Sequence, residues 1–219
     1  MVVGTPFLLV MDVDSTLINE EAIDLLADEA GSLQEVAAIT QRAMAGELDF
    51  ADSLRERVWT LRGLPLSSLD RVRSRITRTE GAAELIAAVQ GAGGRVAAVS
   101  GGFHEILDPL AREWAVDEWR ANRLEVRDGQ LTGEVRGPII DAAAKAQALR
   151  EWAEEFSIPA HRCVAVGDGA NDIEMMRVAG LSVAFDAHQL VRQAADVSVG
   201  VRDLANVIPL LGLAAPEGQ

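Results

Sequence analysis

Three segments of the sequence combine residue types that could do chemistry: Asp12-Val13-Asp14-Ser15-Thr16, Ser100-Gly101-Gly102 and Gly167-Asp168-Gly169-Ala170-Asn171-Asp172. Each follows an apolar run, and each is small, polar and rich in Gly or Asp. Together they supply the carboxylates of Asp12, Asp14, Asp168 and Asp172, the Ser100 hydroxyl, and backbone N–H donors at Gly101 and Gly102. Carboxylates from several strand ends are the hard oxygen ligands that Mg²⁺ takes, with room left for water and a phosphate. Asp12 and Asp14, two residues apart on an extended turn, can divide the work, one attacking as a nucleophile while the other moves a proton. Ser100 and the two glycine amides form a nest for an anion, and side chains at 101 and 102 would obstruct it. Lys145 stands out by isolation: it is the sole lysine among 20 basic residues. A compact ammonium suits a phosphate oxygen, and Asp172 could steady either a metal shell or that lysine.

The elements that must position these groups follow from hydrophobic periodicity. Pro6 to Met11 reads as a strand buried on both faces. From about Ile18 to Thr79 the apolar spacing is wholly helical, with breaks at Gly31, Gly46 and Gly63-Leu64-Pro65 and with Ser67 as the cap of a fourth helix. From Glu80 onward strands and helices alternate: a helix over 82–89, a strand over 95–99 and a helix over 105–114. A hairpin follows, its arms 123–126 and 131–135 flanking Asp128-Gly129. A helix over 142–156 carries Lys145. Then come strand 163–166, helix 171–179, strand 181–185, helix 189–195 and strand 197–199, with a frayed tail from Pro216. Alternation of this kind implies an α/β fold, a doubly wound, Rossmann-like parallel sheet with helices on both faces. The helical stretch is then a small cap inserted after the first strand. The expected division is 1–16 with 80–219 as the catalytic core and 17–79 as the cap. In such a sheet ligands bind beyond the carboxyl ends of the strands, where the three polar segments fall.

Composition narrows the partners. A formal net charge of −14, with no Lys/Arg-rich run, argues against a nucleic-acid surface. The longest apolar stretches, such as 207–216, are short of the roughly 20 residues of a spanning helix. The start has no basic stretch and reaches Asp12 at once, unlike a signal peptide. The single cysteine, Cys163, cannot form an internal disulfide and reads as inert strand packing. His104, His161 and His188 lack metal-ligand spacing, and the four tryptophans read as core or cap packing. The expectation is a cytoplasmic, acidic protein acting on a small molecule, away from membranes, as a monomer or homodimer.

The ordered set of motifs resembles the haloacid dehalogenase superfamily of aspartate-nucleophile phosphatases over nearly the whole chain. Residues 12–16 fit its first motif, DxDx[TS]; Ser100 fits the second, Lys145 the third, and 167–172 (GDGAND) the fourth. The insert narrows the likeness. Asn19 to Asp24, Arg42 to Gly46, and Phe50 with Ser53 to Val58 are similar to the cap of the branch acting on phosphoserine, as is Ser100-Gly101-Gly102-Phe103. This resemblance implies that Asp12 attacks phosphorus and becomes an aspartyl phosphate. Asp14 would protonate the departing serine oxygen and then activate water. Asp12, the main-chain carbonyl of Asp14, and Asp168 would hold Mg²⁺, with Asp172 in support. Ser100, Gly101, Gly102 and Lys145 would hold the phosphoryl oxygens, with Asn171 beside them. Glu21 would meet the substrate ammonium and Arg57 its carboxylate, under an apolar lid of Met44 and Phe50. The chain departs from the usual Asn-Ala-Lys-Pro segment at Phe185-Asp186-Ala187-His188. The first strand begins at about residue 6, so no appended N-terminal regulatory domain is expected.

Other readings stay open at this point. The substrate could be another small phosphomonoester, or the phosphoryl group could pass to an alcohol such as homoserine. A phospho-accepting signalling domain also uses strand-end Asp, Ser/Thr and Lys around Mg²⁺, but lacks the insert and a second acid like Asp14. A P-loop is excluded because GxxxxGK[ST] does not occur.

Overall fold

In the computed structural model residues 6–214 are described. The elements run β1 (Leu8–Met11), α1 (Ala22–Ala30), α2 (Leu33–Met44), α3 (Phe50–Trp59), α4 (Ser67–Arg75), α5 (Ala82–Gly91), β2 (Arg95–Phe103), α6 (His104–Glu113), β3 (Glu118–Arg127) and β4 (Gln130–Arg136). They continue with α7 (Ala142–Glu155), β5 (Cys163–Gly167), α8 (Ile173–Val178), β6 (Leu181–Phe185), α9 (Gln189–Ala194) and β7 (Val197–Val199). The seven strands form one sheet in the order β4-β3-β2-β1-β5-β6-β7. Every neighbouring pair is parallel except the β3–β4 hairpin. This is the expected doubly wound α/β fold with a helical insert between β1 and β2.

β1 lies at the centre, and its side chains alternate between two apolar layers. Leu9 and Met11 pack with α5, α6 and the segment Leu204–Leu211, while Leu8 and Val10 pack with α7, α8 and α9. Cys163 is fully buried in the second layer, and burial pushes its thiol up to about 11. A third apolar cluster belongs to the insert. Leu26, Leu54, Val58, Leu61 and Val72 of α1–α4 and the following turn pack with Phe103, Ile106 and Leu110 near the end of β2 and on α6. Leu124 and Leu131 of the hairpin complete it. Backbone bonds add to this join: Gly63 N donates to Leu131 O at 2.8 Å, and Leu131 N to Leu64 O at 2.9 Å. The insert is therefore seated on β2, α6 and the hairpin, over the carboxyl edge of the sheet.

Several local expectations are corrected. Ser67 is the first residue of α4 and makes no cap bond; Leu66 occupies the cap position, and Leu66 N is taken by Gly129 O at 3.0 Å. β2 does not stop before Ser100 but runs to Phe103, because Phe103 pairs with Asn122 of β3 after a register shift. β3 starts at Glu118, well before the hairpin tip, where it runs parallel to β2. Residues 170–172 form a single tight turn ahead of α8. Trp59, at the end of α3 in the insert, is half exposed with Arg62 stacked over its ring. The tail from Pro216 lies outside the described residues.

Leu131, 2% exposed, joins the hairpin to the insert's apolar cluster. Leu131→Ala is expected to lower unfolding free energy by roughly 2–5 kcal/mol in urea titration. A loss below about 1 kcal/mol would mean that this join contributes little.

Candidate active site

The site begins where β1 ends. Asp12 N still donates to Val166 O of β5 at 2.9 Å, so the carboxylate is fixed at the sheet's edge. Asp12 Oδ1 accepts from Val13 N at 2.7 Å and lies 2.7 Å from Lys145 Nζ. Its Oδ2 has no hydrogen-bond donor among the described residues. Ser15 then adopts a left-handed backbone, with φ of 57°, and the chain reverses. Asp14 Oδ1 accepts from Ala22 N at 2.7 Å, and its Oδ2 from Ser100 Oγ at 2.8 Å. Thr16 Oγ1 donates to Asp168 Oδ1 at 2.7 Å. One short loop thus ties the ends of β1, β2 and β5 to the start of α1.

Lys145 reaches this point from the first turns of α7, which Asp141 caps by accepting from Ala144 N at 2.9 Å. Its side chain is completely buried, and Nζ is also 2.8 Å from Asp172 Oδ1. Burial alone would lower its pKa, but the Asp12 and Asp172 carboxylates outweigh that and drive it upward, so it stays charged. Asp172 Oδ2 accepts from Gly169 N at 3.1 Å, which leaves both Asp172 oxygens occupied.

Oxygens of Asp12, Asp168 and Asp172 lie within 4.8 Å of one another, a cluster able to hold a metal ion. Burial, then the charge of Asp172, raises the Asp12 carboxyl well above its ordinary value against the pull of Lys145. Asp168 is also raised, chiefly by burial, against the Thr16 hydrogen bond. A single lysine leaves three clustered carboxylates under-neutralised, and a hard divalent cation supplies what is missing. Asp12 keeps one oxygen free of donors among the described residues, and Asp168 meets the Thr16 hydroxyl and its own backbone N–H, so oxygen lone pairs remain for such an ion.

The second motif is organised by backbone. Ser100 is 1% exposed, and its Oγ accepts from Gly102 N at 2.7 Å. Gly102 N–H is therefore already used. A Cβ at Gly102 would come within 2.9 Å of both Asp14 Oδ2 and Ser100 Oγ, and one at Gly101 within 2.9 Å of the Phe50 ring. Asn122, buried on β3, donates to Gly101 O and accepts from Ile140 N, both at 2.8 Å. It locks the loop from behind, and no motif marks it in the sequence.

These groups face a cleft of about 240 Å³ whose wall includes Asp12, Asp14, Asp168, Gly101, Gly102 and Asn171, with Glu21, Phe50 and Arg57 from the insert. Glu21 Oε1 accepts from Ser15 Oγ at 2.6 Å. Crowding in the cleft, then the Asp14 charge, pushes its carboxyl up to about 7. Arg57 Nε donates to Ser53 O at 3.3 Å, and burial lowers its pKa against the pull of Glu21 and Asp24. Met44 stands apart at 81% exposure. It lines an adjoining groove of about 460 Å³, shared with Phe50, Arg57 and Asn171. His188, which its spacing left without a role, lies on the cleft wall. His104 is structural: its Nδ1–H bonds Asp108 Oδ1 at 2.6 Å, and its Nε2 accepts from Ala121 N at 3.2 Å.

An open α/β sheet thus carries, beyond its central strand, a carboxylate cluster able to hold a metal ion. Residues 9–177 match the haloacid dehalogenase-like hydrolase family, and the chain belongs to that family. It is 50% identical over 204 residues to a phosphoserine phosphatase of Streptococcus thermophilus, covering 93% of this chain and 95% of that protein. It is 48% identical over 213 residues to phosphoserine phosphatase SerB2 of Mycobacterium tuberculosis, covering 97% of this chain but only 52% of that protein. The chain thus spans about half the length of the mycobacterial relative. A solved phospho-aspartyl intermediate analogue of phosphoserine phosphatase superposes with a TM-score of 0.90 at 42% identity, covering 95% of this chain and 100% of that one. A substrate-bound phosphoserine phosphatase complex also scores 0.90 at 42% identity, covering 95% and 99%. Among the described residues no helix is long and apolar enough to cross a membrane.

The raised Asp12 and Asp168 carboxyls give a pH prediction. An acid whose folded pKa is raised favours the folded state below its unfolded value, and that contribution is lost as pH rises through the folded pKa. A bound divalent cation needs the ionised forms and reverses the loss. Mg²⁺ is expected to raise the melting temperature more near neutral pH than at about pH 5. An equal or larger rise at the acid pH would contradict this.

Proposed function

We infer that the chain is a Mg²⁺-dependent phosphoserine phosphatase, acting in the cytoplasm and hydrolysing O-phospho-L-serine to serine and phosphate. The observation that carries this reading is one cleft joining a lysine-braced Asp12 to Glu21 and Arg57 of the insert. Phosphoserine offers a phosphate, an ammonium and a carboxylate. A carboxylate and a guanidinium beyond the phosphate pocket complement the last two. We take residues 17–79 as the cap that brings this pair and residues 1–16 with 80–219 as the core that brings the chemistry.

The Asp12 carboxylate attacks phosphorus. The bond to the serine oxygen breaks, and the Asp14 carboxyl gives that oxygen its proton. Asp14, now a carboxylate, takes a proton from water, which attacks the aspartyl phosphate, releases phosphate and restores Asp12. Lys145 has three N–H donors; Asp12 and Asp172 use two, and the third is available to a phosphoryl oxygen. With Gly102 N–H spent on Ser100, the Gly101 amide and a re-aimed Ser100 hydroxyl complete that pocket, with Asn171 at its rim. Asp12, Asp168 and the main-chain carbonyl of Asp14 would hold Mg²⁺, with Asp172 bracing the lysine instead. Bound there, the ion would offset the repulsion between a carboxylate and an anionic phosphate. Phe50 covers the cleft and excludes water, and Met44 extends that apolar cover over the adjoining groove.

Phosphate release from a panel of phosphomonoesters, with and without Mg²⁺, tests the reading. Phosphoserine is expected to lead the panel, and only with Mg²⁺; a flat profile would sink the Glu21/Arg57 argument. Arg57→Ala is expected to cost about ten- to a hundredfold in kcat/KM for phosphoserine while largely sparing an aryl phosphate. Asp12→Asn should lose turnover by several orders of magnitude. Appearance of a phosphorylated alcohol when homoserine is added would redirect the reading to phosphotransfer.

A further inference from the structure

A second polar cavity lies outside the catalytic cleft. It has a volume of about 510 Å³, and its lining includes His104, Arg120, Arg123, Arg136, Pro138 and Ile140. In a chain of net charge −14, three guanidinium groups around one hollow are conspicuous. Their arrangement is also costly. Arg123 of β3 and Arg136 of β4 are direct partners across the antiparallel ladder, so their side chains leave the same face side by side. Like charges placed opposite each other weaken a ladder.

Neighbouring acids do not remove the problem. Arg120 is paired with Glu151 at 2.7 Å and lies over the Trp152 ring. Arg123 comes no closer than 3.9 Å to Glu105 and Asp108, the limit of an ion pair. His104 and Trp119 both bond Asp108 Oδ1, and only Oδ2 faces Arg123, at 3.9 Å. Arg136 has no carboxylate within ion-pair distance among the described residues. His104 Nε2 is used as an acceptor by Ala121 N.

We propose that this cavity is a second anion site, in which Arg123 and Arg136, aided by Arg120, hold a small multivalent oxyanion of the phosphate type. Guanidinium forks match such oxygens in pairs, and a bound dianion turns the facing arginines from a repulsive pair into a clamp. The site stands back to back with the phosphate loop of the catalytic cleft. Asn122 bridges the two, bonded to Gly101 O on the cleft side and to Ile140 N on the cavity side.

Titration calorimetry of the full chain with inorganic phosphate, in EDTA, tests the proposal. Wild type is expected to bind phosphate saturably. Arg136→Glu, on an exposed position, should weaken that binding at least about tenfold. It should also raise the phosphate-free melting temperature, since it places a carboxylate opposite Arg123. Arg177→Glu, an exposed change of equal charge on α8, should keep wild-type affinity. Three results would overturn the proposal. Arg136→Glu could bind phosphate as wild type does, which assigns the anion to the catalytic cleft. Both variants could weaken binding equally, which assigns the effect to overall charge. Sodium chloride at matched ionic strength could raise the wild-type melting temperature as much as phosphate does, which assigns it to screening.

Discussion

One buried ammonium holds the site together. Lys145 is wholly enclosed, with Asp12 at 2.7 Å and Asp172 at 2.8 Å. Removing a charge from water costs several kcal/mol, and only close, well-aligned partners offset it. Lys145 obtains them from two strand ends at once, so its position requires β1, β5 and α7 to be in register. Without it, Asp12, Asp168 and Asp172 would be left as an uncompensated acid cluster within 4.8 Å. Arginine is abundant elsewhere in the chain, yet its broad planar fork does not match a pocket that meets one oxygen from each of two carboxylates and leaves a third donor free.

The sheet explains why these groups meet. β1 lies between β2 and β5, and the chain order reverses there, so a crevice opens beyond its carboxyl end. Asp12 sits at that crevice, flanked by Ser100 from β2 and Asp168 from β5. Hydrogen bonds then set each side chain: Thr16 on Asp168, Ser100 on Asp14, Gly169 N on Asp172, and Asn122 behind Gly101. Asp14 has a further tie, to Ala22 N at the first residue of α1. The insert thereby touches the proposed acid–base group directly, and it also sets Glu21 and Arg57 on the cleft wall.

Much of this was legible because the chemistry sits at strand ends. An apolar run that stops at Asp or Gly is readable as a strand meeting a loop, and that located Asp12, Ser100 and Asp168. The helical period of 18–79 likewise marked the insert. Long-range pairing was not legible. The extension of β2 through Gly101 to Phe103 depends on Asn122, about twenty residues on, and nothing local in Ser100-Gly101-Gly102 announces it. Asn122 itself has no motif, since its role arises from which backbone groups the fold leaves beside it. His188 follows β6, which lies beside β5, and so reaches the cleft, while Met44 ends α2 and lines an adjoining groove. Ser67 is not the cap because the helical backbone already begins at Leu66, which puts Ser67 inside the first turn.

In the proposed reaction Lys145 is the charge that lets Asp12 meet an anionic phosphate. The most direct test is a rapid-quench single turnover with phosphoserine labelled on phosphorus, followed by peptide mapping of wild type and Lys145→Arg at matched Mg²⁺. The wild-type label is expected on the peptide containing Asp12. The variant, folded by circular dichroism, is expected to label that peptide at least about a hundredfold more slowly. Labelling of Asp12 at the wild-type rate in Lys145→Arg would contradict the account.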